Sequence, residues 1–231
     1  MSGPEFVLDV GRAERIGFGE AVYAGGKSAA QIEAILERAA GQGMSLLLTR
    51  VDAVRLADLP AHQRERLDHD PVSRTAFFGE PSPVKGPALT AVVCAGTSDV
   101  PVAREAARTL RFYGEAALEV ADVGVAGLWR LMARIEEIRA MPVVIVAAGM
   151  DAALPSVVGG LVPGLVLAVP TSVGYGVAEG GKAALGSVLA SCAPGIAAFN
   201  IDNGYGAACA ALRALRALRA SEGSPGWTGA T

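Results

Sequence analysis

Residues 141–160 read MPVVIVAAGMDAALPSVVGG, and the fold follows from how this stretch is interpreted. Pro142 opens a run from Val143 to Ala148 that is apolar at every position, the pattern of a parallel strand covered on both faces. A buried helix segment would be equally apolar. The β-branched Val143, Val144, Ile145 and Val146 and the stop at Gly149 favour strand. Gly149 and Met150 then turn the chain, and Asp151 stands where a helix N-cap is wanted, ahead of Ala152, Ala153 and Leu154. A carboxylate is therefore expected at the C-terminal end of a buried strand, the edge where open α/β sheets bind ligands. On this stretch alone, capping the helix is the commoner role for such a residue.

Composition narrows the class. The 231 residues suffice for one generous α/β domain or a domain with a small appendage. With 52% hydrophobic and 19% charged residues, most of the chain must be packed. A net charge of −3 and 5% aromatics leave neither a basic grip on phosphates nor a platform for stacked bases, so nucleic acid is not an expected partner. The richest apolar run, 161–169, is broken by Pro163 and Gly164 and is too short to span a bilayer, so no membrane role is expected. The first fifteen residues lack a basic-then-apolar signal pattern. Cys94, Cys192 and Cys209 are odd in number and widely spaced, fitting neither a disulfide framework nor a zinc site. A reducing, cytoplasmic setting is the expectation.

Residues 1–86 form the less regular part, an expected small α+β segment. GGKS at 25–28 resembles a fragment of a phosphate loop but lacks the earlier glycine and the preceding strand. It is better explained as a turn ending in an N-cap, because Ser28 precedes the helical pattern Ile32, Ile35, Leu36 and Ala39. Residues 45–51 suit a strand. His62 and His69, the only histidines, lie in the charged stretch AHQRERLDHD, where a solvated helix face is expected rather than a ligand pair. Three prolines within 80–87 mark a linker.

From Leu89 onward strands alternate with helices: strands at 89–95, 115–120, 143–148, 165–169 and 197–201, with a final helix from Gly204 through Arg219. Such alternation predicts a flavodoxin-like, three-layer parallel sheet with helices on both faces, over 87–220, followed by a loose tail at 221–231. Four strand ends carry small or polar loops: Gly96, Thr97, Ser98 and Asp99; Asp122 to Gly127; Gly149, Met150 and Asp151; and Thr171, Ser172, Val173, Gly174, Tyr175 and Gly176. In any one loop these residues could be caps and nothing more. Four such loops on one edge of a parallel sheet favour a phosphate-bearing small molecule. Cys94 and Cys209 are best explained as small packing residues. Cys192 lies in SCAPG at 191–195, at a helix end just before a strand. No helix dipole would lower its pKa there, so activation needs a neighbouring cation or a charged substrate.

Five motifs, in order, carry a family resemblance: AGTSDVPVA at 95–103, DVGVAG at 122–127, AGMDAALPS at 148–156, VPTSVGYG at 169–176 and NIDNGYG at 200–206. Together with RIGFGE at 15–20 and GKS at 26–28 they resemble the pyridinium-3,5-biscarboxylic acid mononucleotide synthases of nickel-pincer cofactor biosynthesis, across nearly the whole chain. That family is similar in fold to aminoimidazole ribonucleotide carboxylase. The purine enzyme has a proton-handling histidine directly before Leu-Pro, whereas here Ala153 precedes Leu154 and Pro155.

The resemblance implies conversion of nicotinic acid adenine dinucleotide and CO2, or CO2 drawn from bicarbonate, to the biscarboxylated mononucleotide and AMP. It implies Cys192 as a covalent nucleophile toward the pyridinium ring and Asp151 as the base, at a position where the family often has glutamate. It also implies Mg²⁺ for phosphoanhydride cleavage, with no residue assignable as its ligand. Gly96 to Asp99 would hold ribose and phosphate, and Asp122 and Gly124 would border the same pocket. Gly149 and Met150 would also bind the substrate, and Thr171 to Tyr175 would line the dinucleotide cleft. Asp202 and Asn203 would orient Cys192 or the ring carboxylate. Related folds assemble as octamers, so a homo-oligomer is implied. Two alternatives remain open: a purine-type carboxylase or mutase, and a nucleotide-binding module without catalysis.

Overall fold

The structure, a computed structural model, describes residues 6–222. The chain divides into two compact units, one running up to Val84 and including Arg111–Gly114, the other comprising Lys85–Leu110 and the chain from Glu115 on.

The first unit contains α1 (Arg12–Ile16), β1 (Ala21–Tyr23), α2 (Ala29–Gly41), β2 (Leu46–Thr49), α3 (Ala53–Asp58), α4 (Ala61–Arg64), β3 (Leu67–Asp70) and β4 (Thr75–Phe78). Its sheet has the order β1-β2-β4-β3, with β1 parallel to β2 and the other pairs antiparallel. Ser28 caps α2 as its sequence predicts: its hydroxyl accepts the Gln31 N–H, and the Gln31 side chain accepts the Ser28 N–H. Ile32, Ile35, Leu36 and Ala39 then bury against Leu46, Leu48, Ala76 and Phe78. The histidine stretch departs from the expected helix face. His62 is exposed on α4, but His69 lies in β3, paired with Ala76, and its Nε2 is 2.9 Å from the Val51 carbonyl oxygen. Cross-strand pairing overrides the charged local pattern there.

The second unit contains β5 (Thr90–Cys94), α5 (Val100–Phe112), β6 (Ala117–Val120), α6 (Leu128–Arg139), β7 (Val143–Ala148), α7 (Ala153–Gly159), β8 (Leu165–Pro170), α8 (Lys182–Leu189), β9 (Ala197–Ala198) and α9 (Gly204–Glu222). All five strands are parallel, in the order β6-β5-β7-β8-β9. This is the expected flavodoxin-like order. β7 lies at the centre and all six of its residues are buried, each Val or Ile contributing about 1.5–3 kcal/mol. The chain steps one way from β5 to β6, then the other way through β7, β8 and β9. Right-handed crossovers therefore put α5 on one face and α6, α7 and α8 on the other. On the latter face Leu131, Ile135, Leu154, Val158, Ala184 and Val188 cover Val144, Val146, Val166 and Ala168. α9 returns to pack against β7 and β8.

Two details differ from the sequence expectation. The last strand has two residues, not five, although Phe199 and Asp202 still donate backbone hydrogen bonds to Ala168 and Pro170 alongside β8. α9 continues through 222, so the first two residues of the expected tail are helical, and 223–231 lie outside the described residues. Arg219, in its last turn, meets the buried Glu115 carboxylate through both terminal nitrogens, at 2.5 and 2.8 Å. Among the described residues no helix is long and apolar enough to cross a membrane.

One buried carboxylate ties the strand-end loops together. Asp99, 3% exposed, accepts the Gly96 N–H at 2.9 Å and the Thr171 hydroxyl at 2.6 Å, and the Gly149 N–H lies near enough to favour its charged form. The loops following β5 and β8 thereby share a single acceptor, with the loop after β7 beside it. Gly149 is forced by the same crowding, since a Cβ there would sit 2.3 Å from the Val173 carbonyl oxygen. Burial pushes the Asp99 carboxyl pKa up, against the lowering effect of Thr171, Gly96 and Gly149, and the Asp202 charge raises it further.

Asp99→Ala would leave the buried Thr171 hydroxyl and the half-buried Gly96 N–H unpaired and should cost about 2 kcal/mol in denaturant unfolding. Asp99→Asn, which mimics the neutral acid, should cost less. A carboxyl whose folded pKa exceeds its unfolded value contributes stability that is full below the ordinary value of 3.8 and is lost as pH rises through the folded pKa. Wild type should therefore lose stability relative to Asp99→Asn as pH climbs from about 4 upward, which a pH series of unfolding midpoints checks.

Candidate active site

The reversal of winding between β5 and β7 opens a crevice at the C-terminal edge of the sheet, because the loops after these neighbouring strands lead to helices on opposite faces. A cleft of about 320 Å³ lies there. Its walls come from Gly96, Ser98 and Asp99 after β5, from Asp122, Gly124, Val125, Ala126 and Arg130 around the start of α6, and from residues 149–154 after β7, with Val173 closing one side. Of the residues nominated by sequence, Gly96, Ser98, Asp99, Asp122, Gly124, Gly149, Met150, Asp151 and Val173 line this cleft.

Asp151 does not cap its helix. α7 starts at Ala153, the N-cap position belongs to Ala152 with φ of 46°, and no side chain caps the first turn. Met150 is also left-handed, with φ of 55°. Two such residues in one short loop are costly, at about 1–2 kcal/mol each for a side chain with a Cβ. They displace the expected cap by one position and leave the Asp151 carboxylate exposed on the cleft wall, with no partner among the described residues. Asp122, with φ of 59°, and Asp202, with φ of 56°, adopt the same conformation, which aspartate tolerates better.

The other nominated residues support the cleft or stand apart from it. Thr171 is fully buried behind it as a donor to Asp99. Asp202 accepts the Ser172 N–H at 2.8 Å and so fixes the loop after β8. Asn203 accepts the Gly206 N–H at 2.8 Å, capping α9. Thr97, Ser172 and Tyr175 are exposed, and Gly174 packs against the Ala178 backbone. Cys192 is exposed in the loop between α8 and β9 and does not line the cleft. Its loop is anchored beside α7, through the Ser191 and Ser156 hydroxyls 2.7 Å apart and the contact of Ala193 and Ile196 with Gly159. Within one chain, Cys192 and Asp151 do not share this cleft. Cys94 is buried in β5, and burial pushes its thiol pKa up, as suits a packing residue.

Arg130 is the residue the sequence did not single out. It lies in the first turn of α6, and its Nη1 is 2.6 Å from the Asp122 carboxylate. Nothing in the local pattern distinguishes it from the other arginines of α6; only the fold brings it to the cleft. The lining thus holds three carboxylates, Asp99, Asp122 and Asp151, and one cation. Neither histidine is among the residues that line the cleft.

Residues 5–80 match the LarB/PurE-like N-terminal domain, and residues 89–223 match AIR carboxylase, the aminoimidazole ribonucleotide enzyme. An uncharacterized protein of Methanocaldococcus jannaschii is 37% identical over 207 residues, covering 87% of this chain and 80% of that one. A crystal structure of a Treponema denticola PurE2 variant aligns with 59% of this chain and 96% of its own at 17% identity, with a TM-score of 0.42. Both domain matches in their order, with the relative's identity spanning both, place this chain in the LarB-type family of carboxylases related to PurE.

Proposed function

We propose that this protein carboxylates the pyridinium ring of nicotinic acid adenine dinucleotide and hydrolyses the phosphoanhydride, yielding pyridinium-3,5-biscarboxylic acid mononucleotide and AMP, the opening step of nickel-pincer cofactor synthesis. The observation that carries this reading is the charge of the cleft. With Asp122 paired to Arg130 and Asp99 buried, the one cleft carboxylate without a partner among the described residues is Asp151, which suits a cationic ring and is available as a base.

The chemistry asks for a nucleophile. A pyridinium ring is electron-poor, so its carbon 5 does not attack CO2. Addition of the Cys192 thiolate to another ring carbon forms a C–S bond and gives a neutral dihydropyridine, whose enamine carbon 5 then bonds to CO2. Asp151 takes the proton from carbon 5, and breaking the C–S bond returns the electron pair to sulfur and aromaticity to the ring. Carbon 5 exchanges its proton for a carboxylate, and the thiolate is regenerated. The positive ring favours the thiolate as it approaches.

Because Cys192 and Asp151 do not line one cleft within a chain, the proposal includes assembly: Cys192 of one copy serves the cleft of another, in a homo-oligomer. Mg²⁺ is the expected aid to phosphoanhydride cleavage, but the cleft residues do not form a metal site by themselves. Asp99 is committed to its donors and Asp122 to Arg130. The one cluster of three potential ligand residues among those described, Glu33, Glu37 and His62, is in the first unit. The ion is better supplied on the substrate's phosphates, a common mode for magnesium.

The match to AIR carboxylase keeps the purine reaction as a second reading. Ala153, a methyl where that enzyme needs an imidazole, weighs against it, and turnover of aminoimidazole ribonucleotide would restore it.

Asp151→Asn should lower AMP-coupled carboxylation by about 10²-fold or more, whereas Asp151→Glu should retain most of it. An equal, coexpressed mixture of Cys192→Ala and Asp151→Asn chains should recover roughly a quarter of wild-type turnover, the random-mixing fraction for a site shared by two copies. No recovery would place both groups in one chain's site and remove assembly from the proposal.

A further inference from the structure

We infer that Arg130 is the phosphate-selecting residue of the cleft and orients the nucleotide, with its phosphate toward the β6 side and its ring toward Asp151. The inference rests on the cleft being a pyridinium nucleotide site and adds to it the polarity with which the ligand enters.

The cleft is unevenly charged along the sheet order. Arg130 and Asp122 belong to the β6 edge, Asp99 to β5, and Asp151 to β7. Nicotinic acid mononucleotide has unlike ends, a ring whose pyridinium cation is balanced by its own carboxylate and a phosphate that carries the net negative charge. Only one orientation places the pyridinium nitrogen near Asp151 and the phosphate against the guanidinium.

Arg130 is poorly explained as a structural residue. A cation in the first turn opposes the α6 dipole, which favours acidic side chains there. Its ion pair with Asp122 is half-exposed on the carboxylate side and contributes little to stability. The local backbone nevertheless makes room for it, since a Cβ on Gly127 would lie 2.8 Å from Arg130 Nε. Asp122 holds the guanidinium against the cleft wall when no anion is bound. An arriving phosphate offers two or three oxygens to the same planar donor set, a better match than a single carboxylate oxygen.

The test measures the affinity of full-length protein for nicotinic acid mononucleotide and for nicotinic acid riboside, which differ only in the phosphate, by isothermal titration. Wild type should prefer the mononucleotide by about 10-fold or more, and Arg130→Gln should bring the ratio close to one while leaving riboside affinity unchanged. Arg130→Lys, which keeps the charge but not the planar fork, should fall between them. An unchanged ratio in Arg130→Gln would overturn the role of Arg130, as would an equal loss of affinity for both ligands, which marks a structural effect. Failure of wild type to bind either ligand would overturn the pyridinium reading of the cleft, and this inference with it.

Discussion

The architecture of the site depends on one buried carboxylate. Asp99 gathers a backbone N–H from its own loop and a hydroxyl from the loop after β8, with the Gly149 N–H of the loop after β7 close beside it. A carboxylate with several donors can be buried where an unpaired one could not. Beside Asp99, the Met150 N–H donates to the Val173 carbonyl at 2.8 Å, which brings Gly149 too close to that oxygen for any side chain. Three connections that would otherwise move independently become one surface, and that surface is the cleft wall.

The cleft then acquires its chemistry from what Asp99 leaves free. The loop after β7 is held at Gly149, so its strain falls on Met150 and Ala152, both left-handed. Their conformation exposes Asp151 instead of spending it as a helix cap. Strain maintained by surrounding structure at a strand end is common where groups must be presented to a ligand. Asp122 and Arg130 form an ion pair at the opposite end of the cleft. Cys192, anchored beside α7 and exposed, completes this reading only when a second copy is considered.

Much of this was legible in the residues. The unbroken apolar run at 143–148 identified the central strand, and the alternation that follows Leu89 identified a parallel sheet whose loops share one edge. Ser28 announced α2 through a local capping pattern. What escaped the sequence depends on long-range geometry. Asp99 belongs to an expected ligand loop, but nothing local says that Thr171, many residues away, donates to it or that Gly149 lies beside it. Asp151 had the chemistry of an N-cap, and only the left-handed turn at Ala152 moved the helix start past it. Arg130 resembled any helical arginine. His69 sat in a charged run whose strand character came from its neighbour β4, and the shortness of β9 reflects a chain that follows β8 through only a few hydrogen bonds.

The central claim is that the cleft carboxylates a pyridinium ring by way of Cys192. Its most direct test is mass spectrometry of the products formed from nicotinic acid adenine dinucleotide, ¹³C-bicarbonate and Mg²⁺, by wild type and by Cys192→Ala. The account predicts AMP and a mononucleotide bearing one labelled carboxylate from wild type, and no labelled product from Cys192→Ala. Full label incorporation by Cys192→Ala, or no label in the wild-type product, would contradict it.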